Sequence, residues 1–230
     1  MPKKISVLIL GASGAVGTEV LKTLLASPDI ARVTSLGRRK IEAPPSAGGV
    51  LFEQEMVDVF DPLSYGKHLP GHEAAICTLG MGEPSKSSQS EYVRTDKDCV
   101  LAFAAACKSV GVLHFELLGS LGADPGSLSF YLKVKGELEV GLRVLNFPRL
   151  SLFRPSMILT PTNRYGLSQA ITLAAWPWLD LIFWGPLRQA RGIKVEELGR
   201  AMALNLLRNA GKVGPAAEIL HWDDFKGLNA

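Results

Sequence analysis

Tyr131 and Lys135, in Tyr131-Leu132-Lys133-Val134-Lys135, set a phenol and an ammonium four residues apart, on one face of a helix. The positive charge would lower the phenol's pKa and make Tyr131 a general acid/base near neutral pH. Surface helices also produce this spacing by chance. Ser120, in Leu117-Leu118-Gly119-Ser120, raises its value: it closes an apolar run at 114–118 and could hold a substrate oxygen beside the phenol.

A second cluster lies near the start of the chain. Gly11-Ala12-Ser13-Gly14-Ala15-Val16-Gly17 follows an apolar run at 5–10 and opens a helical stretch, the setting in which such glycines bind a dinucleotide. Gly11 permits the tight turn, Gly14 lets backbone N–H groups approach a pyrophosphate, and Gly17 lets the helix pack close to the strand. Ser13, Ala15 and Val16 lie around the helix N-terminus that would stabilise the anion. The alternative is an ordinary glycine-rich turn. An NAD site would end its second strand in an acidic residue that accepts from the ribose 2′-OH. Gly37-Arg38-Arg39-Lys40 stands there instead, and guanidinium forks suit a 2′-phosphate, so NADP(H) is favoured over NAD(H). A solvated basic turn is the competing explanation. Asp58, with Val59 beside it, could read an adenine amino group or could be an exposed turn carboxylate. Lys135 would also reach the nicotinamide ribose.

These groups need elements to hold them. Apolar runs at 5–10, 33–36, 50–54, 74–79, 114–118, 150–153 and 218–222 alternate with helical stretches, which predicts a parallel sheet with crossover helices. Within 15–26, Val16, Val20, Leu21, Leu24 and Leu25 recur at three and four residues, marking a helix with one apolar face. Residues 91–108, 129–144 and the region near 195–207 read as further helices. Turn-rich 41–49 and 80–90 read as loops, the second beyond a strand's carboxyl end, where ligands bind in open α/β sheets. The expected fold class is α/β, a doubly wound, mostly parallel sheet with helices on both faces. Residues 1–230 are expected to form one domain, with 156–230 contributing the substrate-side elements.

The apolar stretch 167–187 is about the length of a membrane span, but Gln169, Pro177 and Asp180 interrupt it. A buried lid, a partner face or an interfacial helix is expected instead, with Trp176, Trp178, Phe183 and Trp184 lining a pocket or packing in a core. Against 22 Asp+Glu, 25 Lys+Arg leave a net charge of +3, which excludes nucleic-acid binding by bulk charge. Cys77, Cys99 and Cys107 show no disulfide or zinc spacing, so a reduced, cytoplasmic setting is expected. The first apolar run is too short for a signal-peptide core and reads as a buried strand. His68, His72, His114 and His221 are scattered without metal-ligand spacing and read as structural. Glu196 and Glu197 read as an acidic first helical turn.

Together, GASGAVG at 11–17, SLGRRK at 35–40, CTLG at 77–80, LLGSLGAD at 117–124, YLKVKGELE at 131–139 and LFRPSMIL at 152–159 resemble the short-chain dehydrogenase/reductase superfamily over nearly the whole chain. Within it, the likeness is to the atypical group of Tat-interacting oxidoreductases and their bacterial and fungal relatives. The resemblance implies a Rossmann fold with NADPH over the strand ends and Leu79-Gly80 close to it. It also implies Ser120, Tyr131 and Lys135 as the catalytic set and Pro155 at the start of the loop beside the nicotinamide. Two positions depart from the family's pattern. Gly119 stands where relatives often carry another Ser, and Asp96 lies near the place of a relay Asn in many members. The implied function is NADP(H)-dependent oxidoreduction of a carbonyl or alcohol on an apolar small molecule. The alternatives are an NADPH-binding sensor with little or no turnover, and an epimerase or dehydratase that retains its cofactor. The expected partner is a small-molecule substrate, with no nucleic acid, no metal and no membrane span. Weak peripheral association and a homodimer are left open.

Overall fold

The computed structural model describes residues 4–46, 49–81, 87–160, 185–212, 214 and 217–230. Its centre is β1 (Ile5–Leu10), a strand apolar on both faces because helices cover both. Val7 and Ile9 turn to one side, where they meet α1 (Ala15–Leu25) and α6 (Val195–Arg208). Leu8 and Leu10 turn to the other, into a core shared with α4 (Cys99–Ser109) and α5 (Phe130–Val144). Two apolar layers therefore clamp one sheet, and the period-2 alternation of the strand assigns each side chain to its layer.

The sheet also contains β2 (Ile30–Gly37), β3 (Leu51–Met56), β4 (Ala74–Cys77), β5 (His114–Leu118), β6 (Arg149–Phe153) and β9 (Glu218–Leu220). Its order is β3-β2-β1-β4-β5-β6-β9. Every neighbouring pair runs parallel. The order reverses between β1 and β4, so the crevice outside their carboxyl ends is where this topology binds ligands. A separate two-stranded parallel sheet, β7 (Ile158–Leu159) with β8 (Ile193–Lys194), was not expected from the sequence.

Three further differences have physical causes. The helix expected over 91–108 is in three parts: α3 (Gln89–Val93), a π turn at Arg94–Asp98, and α4. Its start is fixed by a capping box in which the Ser88 hydroxyl accepts from the Glu91 N–H and the Glu91 carboxylate accepts from the Ser88 N–H. The strand expected over 218–222 stops at Leu220, because His221 caps α7 (Trp222–Asn229), whose Asp224 carboxylate takes the His221 N–H at 2.8 Å. Pro62–Tyr65 forms one short helical turn, α2, capped by Asp61. In α6, Glu197 of the acidic first turn takes an ion pair from Lys226 at 2.8 Å, tying α7 to α6. Most of the stretch 167–187, with Trp176, Trp178, Phe183 and Trp184, lies outside the described residues.

Candidate functional site

The glycine turn is built by crowding. Gly11 has φ +96°, and a Cβ there would lie 2.6 Å from the Leu79 nitrogen. A Cβ on Gly17 would collide with the Gly11 carbonyl and lie 2.7 Å from the Thr78 hydroxyl oxygen. No L side chain fits either position. Gly14 donates its N–H to the Gly11 carbonyl at 3.0 Å, and the Thr78 hydroxyl donates to the same carbonyl at 3.0 Å. Helix α1 then begins with Gly14 as its cap, with no side-chain cap and no acidic residue in its first turn. Its first N–H groups and positive dipole end are left for an anion.

Beside this turn is a cleft of about 340 Å³, lined by Gly11, Ala12, Ser13, Ser35, Gly37, Arg38, Arg39, Ile41, Val59 and Leu79, among others. Both arginines are exposed. Their turn is pinned from β3: Gln54 accepts the Ile41 N–H at 2.9 Å and donates its amide to the Ile41 carbonyl at 3.1 Å. Asp58 is outside the lining, exposed, and its carboxylate accepts the Phe60 N–H at 2.9 Å as a turn. Gly14 caps α1 and Ala15, Val16 and Gly17 form its first turn; none of the four is in the cleft lining. This cradle and its open helix end fit the pyrophosphate of a nicotinamide dinucleotide.

The second half of the candidate site lies on α5. Lys135 is 5% exposed and pairs with Asp96, 2% exposed, at 2.8 Å. The other Asp96 oxygen accepts the Met81 N–H at 2.7 Å. Burial by itself would pull the Lys135 ammonium down; Asp96, then Tyr131 and Cys77, outweigh it and hold it above its ordinary value. Tyr131 is half-buried and its ring packs 5.9 Å from that of Tyr92. Burial, then Asp96, pushes the Tyr92 phenol far above the usual range.

Ser120 sits on a loop sewn to β6. Gly119 N–H donates to the Phe153 carbonyl at 2.7 Å, and Leu121 N–H to the Pro155 carbonyl at 2.8 Å. The Ser120 hydroxyl donates to the Leu121 carbonyl at 3.3 Å, not to the Tyr131 phenol. Further along, the loop lies directly on α5, because a Cβ on Gly136 would overlap the Asp124–Pro125 peptide. Gly119 also has a steric reason: a Cβ there would be 3.2 Å from both the Glu139 carboxylate and the Phe153 carbonyl. That carboxylate is buried and bound on both oxygens by Arg154.

Ser13, Arg38, Arg39, Val59 and Leu79 therefore line one cleft, while Lys135 is joined through Asp96 to the Leu79-Gly80-Met81 segment. Sequence reading passed over Thr78, Gln54 and Met81. Thr78 acts through its hydroxyl on the Gly11 carbonyl and Met81 through its backbone N–H, contacts that no residue pattern announces; Gln54 had no signal at all.

Comparison with known proteins accords with this geometry. A family model described as NAD(P)H-binding matches residues 11–139. Protein HTATIP2 of Rattus norvegicus is 36% identical over 206 residues, covering 88% of this chain and 81% of that protein. Protein FMP52, mitochondrial, of Coccidioides immitis (strain RS) is 29% identical over 160 residues, 65% of this chain and 64% of that protein. Among solved structures, a short-chain type dehydrogenase/reductase from Mycobacterium ulcerans superposes with a TM-score of 0.69 at 17% identity, covering 95% of this chain and 89% of that one. MoeE5 in complex with UDP-glucose and NAD gives a TM-score of 0.70 at 16% identity, over 94% and 75%.

One expectation is corrected. The cytoplasmic setting inferred from the cysteines does not stand, because several fungal relatives at 29–30% identity are named mitochondrial. Three buried free thiols separate reducing from oxidising surroundings and say nothing about which reducing compartment is occupied. The matched family model, the rat relative and the seven-stranded parallel sheet agree: this chain belongs to the NAD(P)H-binding family, with the Rossmann fold of the short-chain dehydrogenases/reductases.

Proposed function

We propose that the protein is an NADP(H)-dependent oxidoreductase acting on a carbonyl or alcohol of an apolar small molecule. The observation that carries this reading is Lys135: a buried ammonium with Asp96 as its one hydrogen-bond partner among the described residues, one helical turn from Tyr131. Its remaining N–H donors suit ribose hydroxyls. When bound, the reduced cofactor supplies the hydride. Tyr131 donates its phenolic proton to the carbonyl oxygen as the alcohol forms, and Ser120 steadies that oxygen after its hydroxyl rotates off the Leu121 carbonyl. Lys135 orients the ribose. Residues from about 156 onward are read as the substrate side.

Preference for NADPH over NADH follows from Arg38 and Arg39 in the cleft wall and from Gly37 where an acidic residue would read a 2′-OH. Loss of one charge-assisted phosphate contact costs about 1.5–3 kcal/mol, roughly tenfold to a hundredfold in affinity. Arg38→Ala is therefore expected to weaken NADPH by that factor and leave NADH nearly unchanged, as read by titration of both cofactors. Equal affinity of the wild type for the two cofactors would overturn the preference. The competing reading is a cofactor-binding sensor, favoured by the Ser120 hydroxyl being engaged with its own loop. Absence of turnover with NADPH across aldehydes, ketones and quinones would select it.

A further inference from the structure

We propose that Glu139 and Arg154 are positioning residues: their ion pair ties the carboxyl end of β6 to α5 and so holds the Ser120 loop in place against the helix that carries Tyr131 and Lys135. This deepens the oxidoreductase reading and rests on Ser120 being part of its catalytic set. Tyr131, Lys135 and Glu139 follow one another at intervals of four residues along α5. Glu139 is 3% exposed, and its two oxygens take the Arg154 fork, one from Nε at 2.9 Å and the other from an Nη. Arg154 stands between Phe153 and Pro155, whose carbonyls accept the Gly119 and Leu121 N–H groups on either side of Ser120. Its own N–H donates to the Leu220 carbonyl at 2.9 Å, which braces the strand end from β9 as well.

The two ends of the loop are secured differently. At its far end Gly136 lets the Asp124–Pro125 peptide lie on α5, and the Asp124 N–H donates to the Leu132 carbonyl at 3.2 Å. The near end, at 119–121, hangs its backbone on β6, and the Glu139–Arg154 fork carries that attachment across to α5. Gly119 fits closely against the fork, since a Cβ there would stand 3.2 Å from a Glu139 oxygen. Stability alone is a poor reason for such a pair. The desolvation of two buried charges roughly cancels their attraction, and well-packed apolar side chains of similar size often serve as well. What the planar fork adds is direction: two parallel N–H···O bonds admit one separation and one orientation between the elements that carry them.

Two variants separate positioning from stability. Glu139→Gln keeps the shape and breaks the fork. Glu139→Met combined with Arg154→Met removes both charges and keeps apolar bulk, and it carries the test should the Gln variant fail to fold. The readout is amide hydrogen exchange of the full chain by NMR, comparing Gly119 and Leu121 with Phe115 and Leu117 of β5, which pair within the sheet. In both variants the Gly119 and Leu121 amides are expected to exchange about tenfold or more faster relative to those of β5, because the loop opens locally while the sheet stays closed. Loop and strand amides that speed up together, or loop amides that do not change, overturn the proposal. Where the wild type reduces a carbonyl compound, a cycle with Ser120→Ala gives the kinetic counterpart. Glu139→Gln is expected to lower kcat by roughly tenfold to a hundredfold with NADPH affinity nearly unchanged, and the double variant to be no slower than Ser120→Ala alone. Losses that multiply overturn the proposal. The exchange measurement needs neither cofactor nor substrate, so a wild type without turnover counts against the oxidoreductase reading alone.

Discussion

Tyr131→Phe is expected to bind NADPH almost as tightly as the wild type and to lose turnover by roughly a hundredfold or more. The substitution removes one oxygen from a half-buried ring and keeps the packing against Tyr92, so the fold and the glycine turn have no reason to change. It removes the only part of the side chain that donates a proton, and general acid catalysis contributes about 10²–10⁴ in rate. Lys135→Ala is expected to differ by weakening binding and turnover together, because the ammonium is assigned to the ribose as well as to the phenol. Paired steady-state kinetics and NADPH titrations separate the two patterns. A wild type that reduces a carbonyl compound and a Tyr131→Phe variant that matches its rate would remove Tyr131 from the mechanism while leaving the fold intact. A sensor would show neither pattern, since its wild type would turn nothing over.

What the residues made legible was whatever rests on local pattern. The alternation of β1 and the three- and four-residue spacing in α1 are dictated by one strand and one helix at a time, and both elements form where they were expected. Gly11 and Gly17 were readable because their spacing falls within one strand–turn–helix, although much of the crowding that excludes a side chain there comes from Thr78 and Leu79 just beyond β4. The π turn at Arg94–Asp98 was not readable, since its cause is tertiary. It carries the carboxylate that pairs with the Lys135 ammonium on another helix, a contact that no local pattern encodes. The same holds for Gln54, whose amide grips a loop thirteen residues earlier across the strand edge. Asp96 stood out in the sequence only as an acidic residue near a relay position. Its pairing with Lys135 gives that buried ammonium its counter-charge.

Glu116→Gln is expected to stabilise the protein, by an amount that grows with pH. Glu116 is fully buried in β5 beneath α6, where one carboxyl oxygen accepts from the Asn205 amide at 2.8 Å and the other has no hydrogen-bond partner among the described residues. His114, 3.5 Å from the bonded oxygen, supplies no positive charge, because burial, then Arg149, holds the imidazole down at about 3. The Arg149 guanidinium is taken by Glu218 at 2.8 Å. Burial therefore pushes the Glu116 carboxyl well above its ordinary 4.5, and the Asn205 bond does not offset it. The sign follows from proton counting. Above the unfolded value the unfolded chain has released this proton while the native state still holds it, so wild-type stability falls as pH rises, until the native carboxyl ionises as well. The slope is at most about 1.4 kcal/mol per pH unit. Glutamine does not titrate, keeps an acceptor for Asn205 and places an amide where the protonated oxygen stood. The variant and the wild type should thus unfold at similar temperatures near pH 4.5 and diverge steadily above it. Each kcal/mol appears as about 2–4 °C for a chain of this size. His114, Arg149 and Glu218 are present in both proteins, and their own titrations cancel in the difference to first order. Thermal unfolding of both proteins from pH 4.5 to 8 decides the matter: a difference that stays constant across that range would mean that Glu116 is ionised in the native state and that its charge is compensated by some group other than Asn205.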